Sequence, residues 1–472
     1  MNALLPSRLS IALLLTGTLL TGCMVGPDYQ KPSAPISATF KEARGWKAAS
    51  PQDELPKGPW WALYQDPQLD ALVSQVQLNN QNVAVYAAQY QQALALVRQS
   101  RAEEFPTLTG TGASSRSESA SGSSSSGAGG VSKVHSATLD LSWEADIWGR
   151  LRRTNEQDRA SAQASAADLA NATLSAQSSL AQDYFQLRLL DRRITLYRET
   201  IAGYERYLQI IQNKYDEQIS SRADLATGKT QLQSAQASML DLQWQRAQYE
   251  HAIALLMGKP PADFSLAADP AWQYHVPGVP LGVPSRLLER RPDIAAAERQ
   301  MAAANAAVGV ATAAYYPDLT LSASGGYQSS TLSNLFSLPN RFWSIGPSLT
   351  GTILDFGATR ASVEQARHAY DATVATYRQT VLTGLGEVED YLVELRTLEP
   401  ELEARRNSAQ SAEDSAAVSR DQYEAGVIDY LDVATTQATS LNERQTLLNL
   451  VATQLITSVQ LQAALGGSWV TE

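Results

Sequence analysis

The sequence predicts a mixed α and β membrane protein: an internally duplicated chain whose β-barrel is shared by three copies and continues into a long barrel of helices. Three observations carry this expectation. First, landmarks recur at a near-constant offset. Phe105-Pro106-Thr107-Leu108-Thr109 returns as Tyr316-Pro317-Asp318-Leu319-Thr320, and 316 − 105 = 211. Trp148-Gly149, Tyr215, Asp224-Leu225-Ala226-Thr227 and Met257-Gly258 return 208 residues on as Phe356-Gly357, Tyr423, Asp432-Val433-Ala434-Thr435 and Leu465-Gly466. A chain with such self-similarity is a tandem repeat. Second, each half holds one very long stretch with an apolar residue every seven positions. Third, each half also holds short stretches of strict apolar and polar alternation.

The long stretches read as helices with a coiled-coil seam. Residues 150–216 carry Leu180, Leu187, Ile194, Ile201, Leu208 and Tyr215 at spacing seven, and Val388, Leu395, Leu402, Ala409, Ala416 and Tyr423 repeat the pattern. At about 1.5 Å per residue such a helix reaches roughly 100 Å, far beyond a globular domain. The return helix, 224–257, stops at Gly258 with Pro260-Pro261 behind it. Asp66-Pro67-Gln68-Leu69 starts a short helix, and Asn82 caps an alanine-rich helix over 82–104 that Phe105-Pro106 ends. Its counterpart opens at Leu287 and runs to Tyr315.

The alternating stretches read as strands. Over 136–146, Ala137, Leu139, Leu141, Trp143 and Ala145 share one face while Ser136, Thr138, Asp140, Ser142, Glu144 and Asp146 share the other. Leu319, Leu321, Ala323 and Tyr327 repeat this, as do Trp343, Ile345, Leu349 and Ile353. Their length suits a tilted membrane strand, roughly 9 to 11 residues. A soluble hairpin packed on its own helices would alternate as well. The serine and glycine run 114–130 and residues 328–340 then link strands as outward-facing loops. Four strands per chain cannot close in lipid, where an open edge leaves backbone groups unpaired and the smallest barrels have about eight strands. Three copies give twelve.

The chain has 472 residues, and its 37 Lys and Arg against 48 Asp and Glu leave a net charge of −11, the wrong sign for nucleic acid. Its four histidines, His135, His251, His275 and His368, stand at no metal-ligand spacing, and it carries no nucleophile elbow, phosphate loop or dinucleotide fingerprint. An enzyme would have no residues to rest on, and no cofactor or metal is expected. Arg8 followed by apolar residues 9–20 reads as an export signal spanning 1–22, too short to cross a bilayer as a helix. The signal ends in Leu20-Thr21-Gly22-Cys23, which resembles a lipobox. Cys23, the one cysteine, then becomes the lipidated first residue, and Met24 after it favours outer-membrane sorting. The expected order is a lipidated extended tether over 23–59, rich in proline, a first repeat over 60–258, a proline-rich linker over 259–284, a second repeat over 285–467 and a tail over 468–472.

Leu20-Thr21-Gly22-Cys23, Trp60-Trp61 with Asp66-Pro67 and Leu69, Pro284-Ser285-Arg286-Leu287-Leu288-Glu289-Arg290-Arg291-Pro292-Asp293-Ile294, Glu298, Tyr316-Pro317, and Tyr423 with Gly426 and Tyr430-Leu431-Asp432-Val433 span the mature chain. Together they resemble the outer-membrane factor family of TolC-like channels, in its lipoprotein branch, that of OprM and NodT. The resemblance implies a homotrimer with an outer-membrane β-barrel and a periplasmic helical barrel. It also implies docking to a periplasmic adaptor, or membrane fusion protein, and to an inner-membrane pump of the RND type, for efflux of drugs, organic compounds or metals. It places a periplasmic gate where the helical hairpins meet, at Tyr423 and Asp432, with Asp224 as the first-half copy of Asp432 and Thr435 where relatives often carry a second acid. The Tyr423 hydroxyl is expected to bond across to the neighbouring hairpin. Two other readings stay open: the exit duct of a type I protein secretion system, and a trimeric coiled-coil surface scaffold, which explains the heptads but not the strands. The exported compound is not legible.

Overall fold

The computed structural model describes residues 24–37, 39–43, 59–118, 131–278 and 290–467. The export signal, Cys23, the greater part of the loop 114–130 and the opening of the second repeat lie outside them.

Seven α-helices and four strands are formed among the described residues: α1 Pro67–Asn79, α2 Gln81–Ala102, β1 Thr107–Glu118, β2 Val131–Ala145, α3 Arg150–Asp216, α4 Arg222–Leu256, α5 Pro292–Ala313, β3 Asp318–Ser329, β4 Arg341–Thr350, α6 Ala358–Glu424 and α7 Tyr430–Ala464. Three helix pairs of the duplication are equal in length. Helices α3 and α6 have 67 residues each, α4 and α7 have 35 each, and α2 and α5 have 22 each. Their starts keep the sequence offsets, since 358 − 150 = 208, 430 − 222 = 208 and 292 − 81 = 211.

Several boundaries differ from expectation. Asn80, not Asn82, caps α2: its Oδ1 accepts from the Val83 N–H at 3.1 Å, so the helix starts one residue before Asn82. Helix α5 starts at Pro292, not Leu287, with proline in the first turn, where its missing N–H costs nothing. It ends at Ala313, and Tyr315 and Tyr316 continue as turns onto Thr312 and Ala313. Strand β1 runs on to Glu118, because Ser114 to Glu118 pair with His135 to Val131. Strand β4 stops at Thr350, so Ile353 falls beyond the sheet. Asp224 lies inside α4, which begins at Arg222.

The chain divides into two compact units, and each draws on both repeats: one holds residues 24–33, 89–165 and 296–377, the other 34–88, 166–295 and 378–467. In the first unit the strands form one antiparallel sheet in the order β1, β2, β3, β4, so the repeats meet at the β2–β3 pair. Among the described residues both β1 and β4 keep a free edge. On β4, Trp343 and Ile345 are 75% and 73% exposed, which leaves apolar side chains facing outward. An N-terminal strap lies against the same unit. Arg153, 1% exposed at its side chain, donates to the carbonyls of Val25 and Gly26 and pairs with Asp28 at 2.8 Å. Gly26 (φ +93°) crosses Gly309 so closely that a Cβ would stand 2.4 Å from the Gly309 Cα.

In the second unit the heptad residues form the core. Leu180, Leu187, Ile194, Val388, Leu395 and Leu402 are buried, Leu208 is half-buried and Tyr215, at the far end of the seam, is exposed. Trp60 is buried among Tyr64, Leu69 and Leu180. Asp66 secures this region. One oxygen caps α1 through Gln68 and Leu69 N–H, and the other accepts from the Tyr184 hydroxyl at 2.7 Å and Trp272 Nε1 at 2.8 Å.

Candidate functional site

The candidate gate is built by two helical hairpins of the second unit, the turn between α3 and α4 and the turn between α6 and α7. Both turns reverse through a residue in the left-handed region, Gln218 (φ +64°) and Gly426 (φ +72°), which are repeat partners because 426 − 218 = 208. Behind the turns Tyr207, Ile211, Leu225, Tyr423, Tyr430, Val433 and Ala434 form a small apolar core.

Tyr423 is buried in that core. Its ring meets Tyr430 edge to face at 5.7 Å, and Lys214 Nζ stands 4.1 Å over its centroid, a cation on the ring face. Burial, with a smaller contribution from the negative charge of Asp224, pushes its phenol above the ordinary value. The hydroxyl has no hydrogen-bond partner among the described residues. The bond across the hairpins, expected of Tyr423, is made within the chain by Tyr430, whose hydroxyl donates to Gln231 Oε1 at 2.8 Å while Gln231 Nε2 donates to the Ala434 carbonyl at 3.0 Å. Tyr207 adds a longer contact to Glu424 at 3.4 Å. Sequence reasoning missed Lys214, Gln231 and Tyr430 as partners. The one signal for Tyr430 was its place in the Tyr430-Leu431-Asp432-Val433 motif.

Asp224 is the third helical residue of α4 and forms a capping box with Ser221: the Ser221 hydroxyl accepts from Asp224 N–H, and Asp224 Oδ2 accepts from Ser221 N–H, both at 3.0 Å. Burial alone would raise its carboxyl. The bonds from Ser221 and the Ser220 hydroxyl outweigh that and hold it below the usual carboxylate value. Asp432 occupies the same place in α7 without the box, because Asp429 stands where Ser221 stands and makes no side-chain cap. Asp432 is exposed, and no donor among the described residues reaches its carboxylate. Thr435, one turn on and also exposed, donates to the Leu431 carbonyl at 2.8 Å. The fold therefore brings Tyr423 near Asp224, and leaves Asp432 and Thr435 exposed on α7 while Val433 and Ala434 turn inward.

The motif residues outside the gate have structural work. Arg291 pairs with both oxygens of Asp293, at 3.0 and 2.7 Å, and with Glu387 at 2.7 Å. Glu298 accepts from Lys31 at 2.7 Å, joining α5 to the strap. Among the described residues no group of three or more His, Cys, Asp or Glu is placed to hold a metal ion, and no helix is long and apolar enough to cross a membrane.

Residues 72–259 and 283–467 match the family model described as outer membrane efflux protein. The toluene efflux pump outer membrane protein TtgC of Pseudomonas putida is 30% identical over 466 residues, covering 97% of this chain and 95% of the relative. The cation efflux system protein CusC of Escherichia coli is 28% identical over 95% of this chain and 96% of its own. Among solved structures the outer-membrane channel OprN superposes with a TM-score of 0.87 at 28% identity, over 94% of this chain and 99% of that one. With two matched segments corresponding to its two repeats and the same fold along its length, the chain belongs to the outer membrane efflux protein family of channels.

Proposed function

We propose that three copies of this chain form the exit duct of a tripartite efflux system, each lending four strands to a twelve-stranded barrel in the outer membrane of a Gram-negative cell. In this reading Cys23 carries the lipid anchor, the helices extend into the periplasm, and a periplasmic adaptor and an inner-membrane pump of the RND type dock at the hairpin end. No catalysis belongs to it. The observation that carries the reading is the four-stranded sheet with two free edges and outward apolar side chains. Four antiparallel strands start and end in opposite directions, so β4 of one copy and β1 of the next pair antiparallel and the ring closes with no unpaired edge. Relatives of similar identity are named for toluene and for cations, which supports a duct that accepts what its pump delivers.

The test is cross-linking. Paired cysteines on β1 and β4, in a Cys23→Ser background, should yield a covalent trimer in the outer-membrane fraction. Dimers alone, or protein confined to the soluble periplasm, would contradict the reading. Radioactive fatty acid should label the wild-type chain and not Cys23→Ser.

A further inference from the structure

The unit that carries the sheet contains a cleft of about 440 Å³ beside the N-terminal strap, with Tyr29, Glu104, Arg152, Asn155, Arg159 and Arg299 in its wall. Two of its cations are already engaged, Arg152 with Asp146 at 3.2 Å and Arg299 with Glu298 at 2.9 Å. The buried Asn155 Nδ2 donor has no partner among the described residues, and neither the exposed Arg159 guanidinium nor the half-buried Glu104 carboxylate forms an ion pair among them. Asn155 is only 3% exposed. A buried amide donor left unpaired is costly, so an oxygen acceptor is the missing element. Glu156, also in the wall, is taken by Arg153 at 2.7 Å, so the groups left over complement a zwitterion, with an anionic oxygen for Arg159 and Asn155 and a protonated amine for Glu104.

The cleft's place in the fold indicates where such a zwitterion comes from. Glu104 precedes β1 by three residues, and its carbonyl accepts from Nε1 of Trp143, two residues before the end of β2, at 3.0 Å. Trp148 stacks on Tyr316 at 4.5 Å and donates to the Pro317 carbonyl at 3.0 Å, just before β3. Aromatic side chains gathered at strand ends mark the headgroup layer of a membrane barrel. The strap meets the same level, since Val25 N–H donates to the Trp148 carbonyl at 3.0 Å.

We propose that this cleft binds the headgroup of a phospholipid that joins a phosphate diester to a primary ammonium, as phosphatidylethanolamine does, with the phosphate on Arg159 and Asn155 and the ammonium on Glu104. This rests on the reading that the strands cross the outer membrane. Native mass spectrometry of the purified oligomer in detergent, titrated with phosphatidylethanolamine, phosphatidylcholine or inorganic phosphate, tests it. Phosphatidylethanolamine should be retained roughly tenfold better than phosphatidylcholine, whose ammonium has no N–H, the size of one hydrogen bond to a charged group. Glu104→Gln should erase that preference, and Arg159→Gln should lower retention of both lipids. Equal retention of the two lipids by the wild type, unaltered retention in Arg159→Gln, or displacement of the lipid by millimolar inorganic phosphate would overturn the assignment. So would dissociation of the Arg159→Gln oligomer without loss of lipid, which would make the cleft a contact between copies. A wild-type oligomer that conducts ions in a planar bilayer yet retains no lipid defeats this inference alone, whereas one that neither conducts nor retains lipid defeats the reading beneath it.

Discussion

Tyr430 and Tyr423 are neighbours of the same type with opposite roles at the hairpin ends. Removing the Tyr430 hydroxyl deletes its bond to Gln231 and leaves a part-buried amide oxygen short of a donor, at about 1 kcal/mol per chain. Removing the Tyr423 hydroxyl deletes a buried group that has no partner among the described residues, which is neutral or stabilising within the chain. If Tyr423 is a gate residue, it acts through its ring under Lys214 and against Tyr430. Single-channel recording should therefore show more frequent or larger openings for Tyr430→Phe than for Tyr423→Phe, and Tyr423→Ala should exceed both. Larger effects from Tyr423→Phe than from Tyr430→Phe would mean that the Tyr423 hydroxyl finds its partner in an adjacent copy. Asp66 offers a test of stability apart from the gate. Asp66→Ala strips the cap of α1 and leaves the Tyr184 O–H and the Trp272 N–H without their acceptor, while the Tyr184 oxygen keeps Arg188, so thermal unfolding should register a loss of about 2 to 4 kcal/mol per chain. Asp66→Asn, which keeps the cap acceptor, should lose less.

The hairpin turns repeat in geometry but not in sequence. Gly426 adopts the left-handed conformation without strain, while Gln218, its partner in the first repeat, carries a Cβ there. Gln218→Gly should leave that turn unchanged or stabilise it by up to about 1 kcal/mol, and Gly426→Gln should destabilise its turn by about 1 kcal/mol. Hydrogen exchange at the first turns of α4 and α7 reads both. The capping boxes differ as well. Asp224 has a lowered carboxyl value in the folded chain, so its contribution is present above the unfolded value of about 4 and is lost as pH falls through the lower folded one. Exchange protection at the start of α4 should accordingly fall in acid; Ser221→Ala, which leaves the bonds from the Ser221 N–H and the Ser220 hydroxyl, should weaken that acid dependence, and Asp224→Asn should remove it. Helix lengths were legible because proline, glycine and the seven-residue period mark them, and α3 matches its sequence reading at both ends. The start of α2 was misread because Asn80 and Asn82 are chemically equal candidates and only the fold decides which amide meets Val83 N–H. Strand ends were misread for a different reason. Ser114, Ser115, Arg116, Ser117 and Glu118 pair with β2 through their backbone although they show no apolar and polar alternation for a sequence reading to find.

In the whole molecule, the duplication explains why one sequence can make both parts of a duct. Each repeat supplies two strands and a pair of long helices, and the sheet joins the repeats through the β2–β3 pair. The family and its architecture were legible in the sequence because spacing and motif positions persist along its length. The gate partners were not, because Gln231 and Tyr430 lie 199 residues apart and meet only when the two hairpins pack. The same separation hid the strap, whose lock on Arg153 spans more than 120 residues. The central claim is that copies of this chain together enclose a continuous conducting path. Purified full-length protein in a planar lipid bilayer measures that directly. The account predicts discrete, uniform conductance steps that increase when Tyr430 is replaced by phenylalanine, and a cation preference that Asp432→Ala diminishes while the oligomer stays intact. A membrane-inserted, intact oligomer that leaves the bilayer electrically silent, in the wild type and in Tyr430→Phe alike, would contradict it.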